Sequence, residues 1–189
     1  MAKKVGVLLS GCGVFDGSEI HEAVLTLLAL DKAGAKIICM APDKDQFHVI
    51  NHLTNEETKE KRNVLVESAR IARGEIRNLK DVKATELDAI IMPGGFGAAK
   101  NLSDFAVKGS NCEVDSEVRR ILVEMAEANK PIGAICIAPA TLVNALSGKK
   151  PEVTIGNDAE TARSIEEMGG AHRTCSVYEI HVDHNNKIV

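Results

Sequence analysis

The feature that most constrains the fold is a regular alternation of short apolar segments with longer amphipathic ones. Short apolar runs that end at glycine or proline indicate buried strands; they lie at 4–10, 36–41, 87–92, 131–136 and 153–155. Segments with helical spacing of apolar residues lie between them, at 19–33, 63–73, 114–129, 139–146 and 159–168. Strands that alternate with helices predict an α/β fold, with a mostly parallel, doubly wound sheet and helices on both faces.

The helix boundaries follow from residue type. Ser18 is predicted to cap the first helix, Glu19 to Ala33, because a short hydroxyl side chain can accept a hydrogen bond from the first turn. Asn63 is predicted to cap the next helix for the same reason. Gly34 and Gly74 are expected to end these two helices.

Three segments lack a clear helical or strand pattern. Residues 43–62 are polar and predict a loop or small hairpin over one end of the sheet, and 93–110 predicts a long loop. The tail alternates polar and apolar residues at 177–182, which predicts a strand that turns near 185–186 into a second strand at 187–189. The whole chain, 1–189, is expected to form a single domain.

Composition excludes several functional classes. Aromatic residues make up 3% of the chain and the net charge is −4, without a basic cluster, so no nucleic-acid partner is expected. No apolar run reaches the roughly 18 residues of a membrane span, and residues 1–10 lack a signal-peptide pattern. Five cysteines without a CxxC pair are expected to be reduced thiols. A cytoplasmic protein is therefore expected.

Cys136 is the first candidate for a reactive group. It follows a predicted buried strand and precedes a helix that has Pro139 in its first turn, with small residues such as Gly133 nearby. This arrangement predicts a nucleophile elbow, a sharp turn that exposes a side chain above the sheet. Backbone N–H groups at a helix N-terminus favour a thiolate, which predicts a lowered pKa. The alternative is a buried, inert thiol.

The glycine-rich run PGGFG at 93–97 directly follows another predicted strand. Glycines allow the backbone to approach a ligand closely, and their N–H groups, with that of Ile137, could form an oxyanion hole facing Cys136. The run has neither the GxGxxG nor the GxxxxGK spacing of a phosphate-binding loop. A plain turn is the alternative.

Three further side chains are expected near the same edge of the sheet. Glu19 and Glu22 lie one turn apart at the start of the first helix, where a carboxyl beside a thiol can exchange protons with it. Burial there would raise its pKa. Solvated acids that complement the helix dipole are the alternative. Cys12, between two glycines, could line the pocket.

His48 and His52 are four residues apart but lack further ligands, so no metal is expected.

Four motifs together resemble one group of proteins: VGVLLSGCGV at 5–14, DGSEIHE at 16–22, PGGFGAAKNL at 93–102 and CIAP at 136–139. They resemble the ElbB group (enhancing lycopene biosynthesis, associated with isoprenoid biosynthesis) of the ThiJ/PfpI, class I glutamine-amidotransferase-like superfamily. The resemblance implies a flavodoxin-like three-layer sandwich, commonly dimeric, with a cysteine at an elbow. It further implies that relatives continue into a helix beyond the position of Val189.

The resemblance also assigns roles within the site. It implies that Glu22, rather than Glu19, bonds to the cysteine, and that Gly94, Gly95 and Ile137 supply the oxyanion contacts. It implies a glyoxalase that converts glyoxal to glycolate without a cofactor, with a small dicarbonyl as substrate and possible deglycase activity. Many relatives have a histidine where this chain reads Gly-Asn-Asp at 156–158. A thiol-based redox sensor and an amidase-like subunit are the alternative functions.

Overall fold

A computed structural model of the protein describes residues 2–189. Its central sheet has five parallel strands in the order β5-β2-β1-β6-β7. These strands are β1 (Lys4–Leu8), β2 (Lys36–Ala41), β5 (Ile76–Asn78), β6 (Ala89–Met92) and β7 (Ile132–Ala134). Two short pairs lie outside the sheet: β3 (Ile50–Asn51) with β4 (Glu56–Glu57), and β8 (Glu152–Val153) with β9 (Ala171–His172).

Helices cover both faces of the sheet, as predicted. The helices are α1 (Ile20–Lys32), α2 (Val64–Ile71), α3 (Phe96–Lys100), α4 (Phe105–Lys108), α5 (Ser116–Glu127), α6 (Ala138–Ala145) and α7 (Ala159–Glu167). One core cluster joins Val7 of β1, and Leu9 directly after this strand, to α1 and α2. The other joins Leu8 to α5 and α6. Successive residues of a strand point to opposite faces, so β1 contributes to both cores. The flavodoxin-like three-layer sandwich is confirmed.

The strand order places the functional loops together. From β1 the chain runs outward to β2 and β5, and then returns to the other side of β1 through β6 and β7. Ligands in such sheets bind beyond the carboxyl ends of the strands, where this order reverses. The loops that follow β1, β6 and β7 are 9–19, 93–95 and 135–137, and all three leave the same edge of the sheet.

The predicted caps were half right. Asn63 caps α2, since its side-chain oxygen accepts a hydrogen bond from the N–H of Val66 at 3.1 Å. Ser18 does not cap α1, because its buried hydroxyl accepts a hydrogen bond from the N–H of Ser10 at 2.9 Å. Glu19 is the N-cap of α1 instead.

The structure differs from the sequence-based expectation in three other segments. The segment 93–110 is not a loop, because the glycine turn runs directly into α3 and then α4. The edge strand β5 was missed, because only three residues, Ile-Arg-Asn, form it. Residues 177–182 form no strand: Val177 and Tyr178 are at least 90% exposed, and Ile188 occupies the edge of the sheet beside Ile132. For 43–62, where a loop or a small hairpin was predicted, the structure has a small hairpin of β3 and β4.

Among residues 2–189, no helix combines the length and the apolar character that a membrane crossing requires.

Candidate active site

Cys136 lies at a strained turn between β7 and α6. Its φ is +60°, a left-handed conformation that non-glycine residues rarely adopt. Ile137 precedes the first residue of α6, and Pro139 lies in the first turn. The N–H of Ile135 donates to the carbonyl of Met92 at 3.0 Å, which ties this turn to the end of β6. The residue is exposed, as a nucleophile elbow requires.

The turn packs against Gly94 so closely that no other residue fits there. A Cβ at Gly94 would overlap the Cβ of Cys136 and lie 2.6 Å from Oε2 of Glu22. Gly95 has φ +90° and passes over the start of α1, where a Cβ would lie 2.5 Å from the carbonyl oxygen of Gly17. The two glycines therefore allow three loops to meet at the thiol.

Glu22 is the carboxyl that reaches the thiol, as the resemblance implied. Its Oε2 accepts a hydrogen bond from the N–H of Gly94 at 2.8 Å. Its carboxyl lies close enough to Cys136 for each group to shift the pKa of the other. Glu19 lies one turn earlier, and its carboxylate accepts hydrogen bonds from the N–H of Glu22 at 2.7 Å and from Nδ1 of His21 at 2.8 Å. Glu19 thus contacts Glu22 rather than Cys136.

The electrostatics of the pair differ from the prediction for the thiol. Burial raises the pKa of Cys136, and the negative charge of Glu22 raises it further. The N–H groups of Gly95 and Ile137 lower this pKa, but they do not outweigh burial and charge. Burial and the charge of Glu19 likewise raise the pKa of Glu22, against hydrogen bonds from Gly94 and Cys136. The predicted lowering of the thiol pKa is wrong, because the thiol is partly buried and a carboxyl faces it.

The backbone donors divide into two tasks. The N–H groups of Gly95 and Ile137 lower the pKa of Cys136, so they lie near its sulfur. They would also lie near an oxyanion formed when this sulfur adds to a carbonyl. The N–H of Gly94 is already occupied by Glu22. The geometry therefore gives two of the three predicted oxyanion donors to the thiol and the third to the carboxyl.

The remaining candidates lie apart from this pair. The pKa of Cys12 is raised by burial and by the charge of Glu67, and no contact links its thiol to Cys136. His48 contacts Nζ of Lys100 at 3.0 Å. In the segment 156–158, Asp158 caps α7 through its carboxylate. Across residues 2–189, no three histidine, cysteine or acidic side chains converge as a metal site would require.

Sequence reasoning missed the residue that holds the loop after β1. Asn101 is buried, and its side-chain nitrogen donates to the carbonyl oxygens of Ser10 and Asp16, both at 2.8 Å. Its side-chain oxygen accepts from the N–H of Phe47 at 2.9 Å. Only its place at the end of the glycine-rich run hinted at this role, and the run was predicted to be a loop.

Gly94→Ala is expected to lower activity of the site about a hundredfold, which is the range for a displaced catalytic group. The added methyl would displace Cys136 and Glu22 at once. The measurement is kcat/KM of the purified variant, beside the rate of Cys136 alkylation. Gly148→Ala is the matched control, because no atom lies within 4 Å of its added Cβ. Wild-type activity in Gly94→Ala would contradict the packing described here.

Comparison with known proteins places this geometry in a family. The sequence model of the DJ-1/PfpI family matches residues 7–172. The chain is 50% identical to the ES1 protein homolog, mitochondrial, of Rattus norvegicus, and 49% identical to the glutamine amidotransferase-like class 1 domain-containing protein 3, mitochondrial, of Homo sapiens. These alignments cover 98% and 100% of this chain and 73% of each relative.

One solved structure is also similar to this chain in both sequence and fold. It is an isoprenoid biosynthesis protein with an amidotransferase-like domain from Ehrlichia chaffeensis, which is 41% identical to this chain. The superposition has a TM-score of 0.90 and covers 98% of this chain and 85% of the other. With its parallel sheet, its elbow cysteine and these similarities, the chain belongs to the DJ-1/PfpI family.

Proposed function

We propose that the protein is a cofactor-independent glyoxalase of the ElbB type, which converts glyoxal to glycolate. One observation carries the proposal: Cys136 is held at φ +60° against a single carboxyl, Glu22, and two backbone N–H donors. A thiol with one carboxyl and an oxyanion site suits addition to a carbonyl followed by a proton shift. No histidine is among the groups that shift the pKa of this thiol, which disfavours a Cys-His hydrolase.

The first step is addition of sulfur to one aldehyde carbon. The thiol proton passes to the carboxylate of Glu22 as the S–C bond forms, and the carbonyl oxygen becomes an oxyanion beside the N–H groups of Gly95 and Ile137. Glu22 then returns the proton to this oxyanion. The product is a hemithioacetal on Cys136, and Glu22 is again a carboxylate.

The next steps move hydrogen and then add water. Glu22 removes the hydrogen from the carbon that carries sulfur as a proton, and the hydroxyl proton of this carbon passes to the second aldehyde oxygen, which gives an enediol-like species. Glu22 then returns its proton to the neighbouring carbon. One carbon is thereby oxidised to a thioester and the other is reduced to an alcohol, so no external oxidant is needed. Water cleaves the thioester to glycolate and restores the thiol.

The experiment is incubation of the protein with glyoxal in heavy water, with NMR detection of products. We expect glycolate with deuterium at the hydroxymethyl carbon, because the transferred hydrogen passes through an exchangeable carboxyl. Glycolate without deuterium would indicate a hydride shift or return of the same proton before exchange, and absence of glycolate would exclude the function. Parallel rates with methylglyoxal and a glycated amine decide between glyoxalase and deglycase activity.

A thiol-based redox sensor is the second candidate, and one observation favours it. Cys136 is exposed as a residue, and the N–H groups of Gly95 and Ile137 near its sulfur would also stabilise a sulfinate. Intact-mass analysis after mild peroxide tests this candidate. Selective oxidation of Cys136 together with negligible glyoxal turnover would favour the sensor. Ammonia release from glutamine would instead favour an amidase-like subunit.

We also propose a homodimer formed through α1. Ile20, Val24, Leu25 and Leu28 lie along this helix and are 43% to 61% exposed. Such a continuous apolar stripe is typical of an interface, and a two-fold axis would pair it with its copy. Light scattering should give twice the chain mass of 20.2 kDa. Leu25→Glu should give a monomer, whereas Val107→Glu, at an equally exposed site on α4, should remain dimeric.

The cytoplasmic location stays a prediction. The two mammalian relatives carry the word mitochondrial in their names.

A further inference from the structure

We propose that Glu19 is a positioning residue for Glu22: its carboxylate fixes the first turn of α1 and holds a negative charge beside the carboxyl that faces Cys136. The inference rests on the proposed function, in which Glu22 moves protons at Cys136. Glu19 would thus affect the reaction through Glu22, without contacting the thiol itself.

Glu19 caps α1 in an unusual way. Asp, Asn, Ser and Thr are the common N-caps, because their short side chains reach the N–H groups of the first turn. Here the longer side chain of Glu19 folds back, and its Oε2 accepts from the N–H of Glu22 at 2.7 Å. Ser18, the ordinary capping residue next to it, is bonded to Ser10 instead. The cap is therefore anionic rather than neutral.

Three hydrogen bonds close a ring between α1 and the glycine turn. The carboxylate of Glu19 accepts from the N–H of Glu22, and the carboxylate of Glu22 accepts from the N–H of Gly94 at 2.8 Å. The carbonyl of Gly94 in turn accepts from the N–H of Glu19 at 2.9 Å. Each of these hydrogen bonds holds the residue that makes the next one. Removal of the Glu19 carboxylate would therefore release the N–H of Glu22 and loosen the backbone that positions the Glu22 side chain.

The charge of Glu19 acts on Glu22 as well. Burial opposes ionisation of Glu19, but hydrogen bonds from the N–H of Glu22 and from His21 outweigh it, so its pKa lies below the ordinary value. The resulting anion adds to burial in raising the pKa of Glu22. The other groups that act on Glu22 are the N–H of Gly94 and the thiol of Cys136, and both lower its pKa.

Two substitutions separate position from charge. Glu19→Gln keeps an oxygen that can accept from the N–H of Glu22 and removes the charge, whereas Glu19→Ala removes both. The first readout is the pH titration of the Glu22 carboxyl by NMR with carbon-13-labelled glutamate, assigned through Glu22→Gln. The second is kcat for glyoxal. Glu160→Gln, an exposed first-turn acid of α7, is the matched control.

We expect both Glu19 variants to lower the titration midpoint of Glu22 by roughly half to one pH unit, because an anionic neighbour is lost. We expect kcat to fall about tenfold in Glu19→Ala and to be largely rescued in Glu19→Gln, with thermal unfolding of Glu19→Gln near that of wild type. Glu160→Gln should change neither readout.

A midpoint for Glu22 in Glu19→Gln equal to that of wild type would overturn the electrostatic half of the inference. Equal kcat values for Glu19→Ala and wild type would overturn the positioning half. The titration needs no turnover, so it decides the electrostatic half even if wild type fails to convert glyoxal. That failure, by contrast, would overturn the proposed function.

Discussion

Cys136→Ala is expected to lower kcat/KM for glyoxal by at least about a thousandfold, because loss of a nucleophile removes the covalent route entirely. The fold should survive, because alanine and cysteine are equally strained at the positive φ of this position. Loss of the sulfur also leaves no closed cavity, since the residue is exposed. The measurement is glycolate formation by the purified variant, with circular dichroism and thermal unfolding to verify the fold.

Cys175→Ala is the matched control, because Cys175 is a partly exposed thiol in the tail. It should keep wild-type turnover, because its thiol lies outside the pair formed by Cys136 and Glu22. Turnover by Cys136→Ala above one-tenth of wild type would contradict a covalent mechanism. A wild-type rate for Cys136→Ser would do the same, because a serine hydroxyl is a far weaker nucleophile than a thiol without a strong base.

The sequence pattern predicted the parts of the fold that depend on local residues. Buried strands such as β1 and β2 are continuous apolar runs, and α5 has a clear apolar face at Val118, Ile121 and Leu122. Elements that depend on tertiary partners could not be predicted. The edge strand β5 is only three residues long. Residues 177–182 alternate as a strand would, but Ile188, not this segment, lies beside Ile132 at the edge of the sheet.

The site shows the same division. The elbow at Cys136 and its closeness to the glycine turn follow from adjacent parallel strands, which the alternation predicts. The choice of Glu22 over Glu19 came from the family resemblance, and the structure gives its physical reason: the carboxylate of Glu19 is occupied in capping α1. The direction of the thiol pKa could not be predicted, because it depends on how far burial and Glu22 outweigh two N–H groups.

Glu22→Gln is expected to separate thiol reactivity from turnover. The negative charge of Glu22 and its hydrogen bond to the thiol both raise the pKa of Cys136, so their removal should lower that pKa. Thiolate then forms at lower pH, and alkylation of Cys136 by iodoacetamide at neutral pH should become faster. Glyoxal turnover should nevertheless fall about a hundredfold to a thousandfold, because no carboxylate accepts the transferred proton.

The paired measurement is the pH profile of alkylation and kcat/KM for glyoxal in the same preparation, with Glu160→Gln as the control for loss of one surface charge. Glutamine keeps an oxygen for the N–H of Gly94, so the glycine turn should hold its place. A variant that is slow in both assays would indicate a displaced thiol rather than a missing base, whereas unchanged turnover would remove Glu22 from the mechanism. Faster alkylation with slower turnover is the result that only a thiol-carboxyl pair sharing a proton explains.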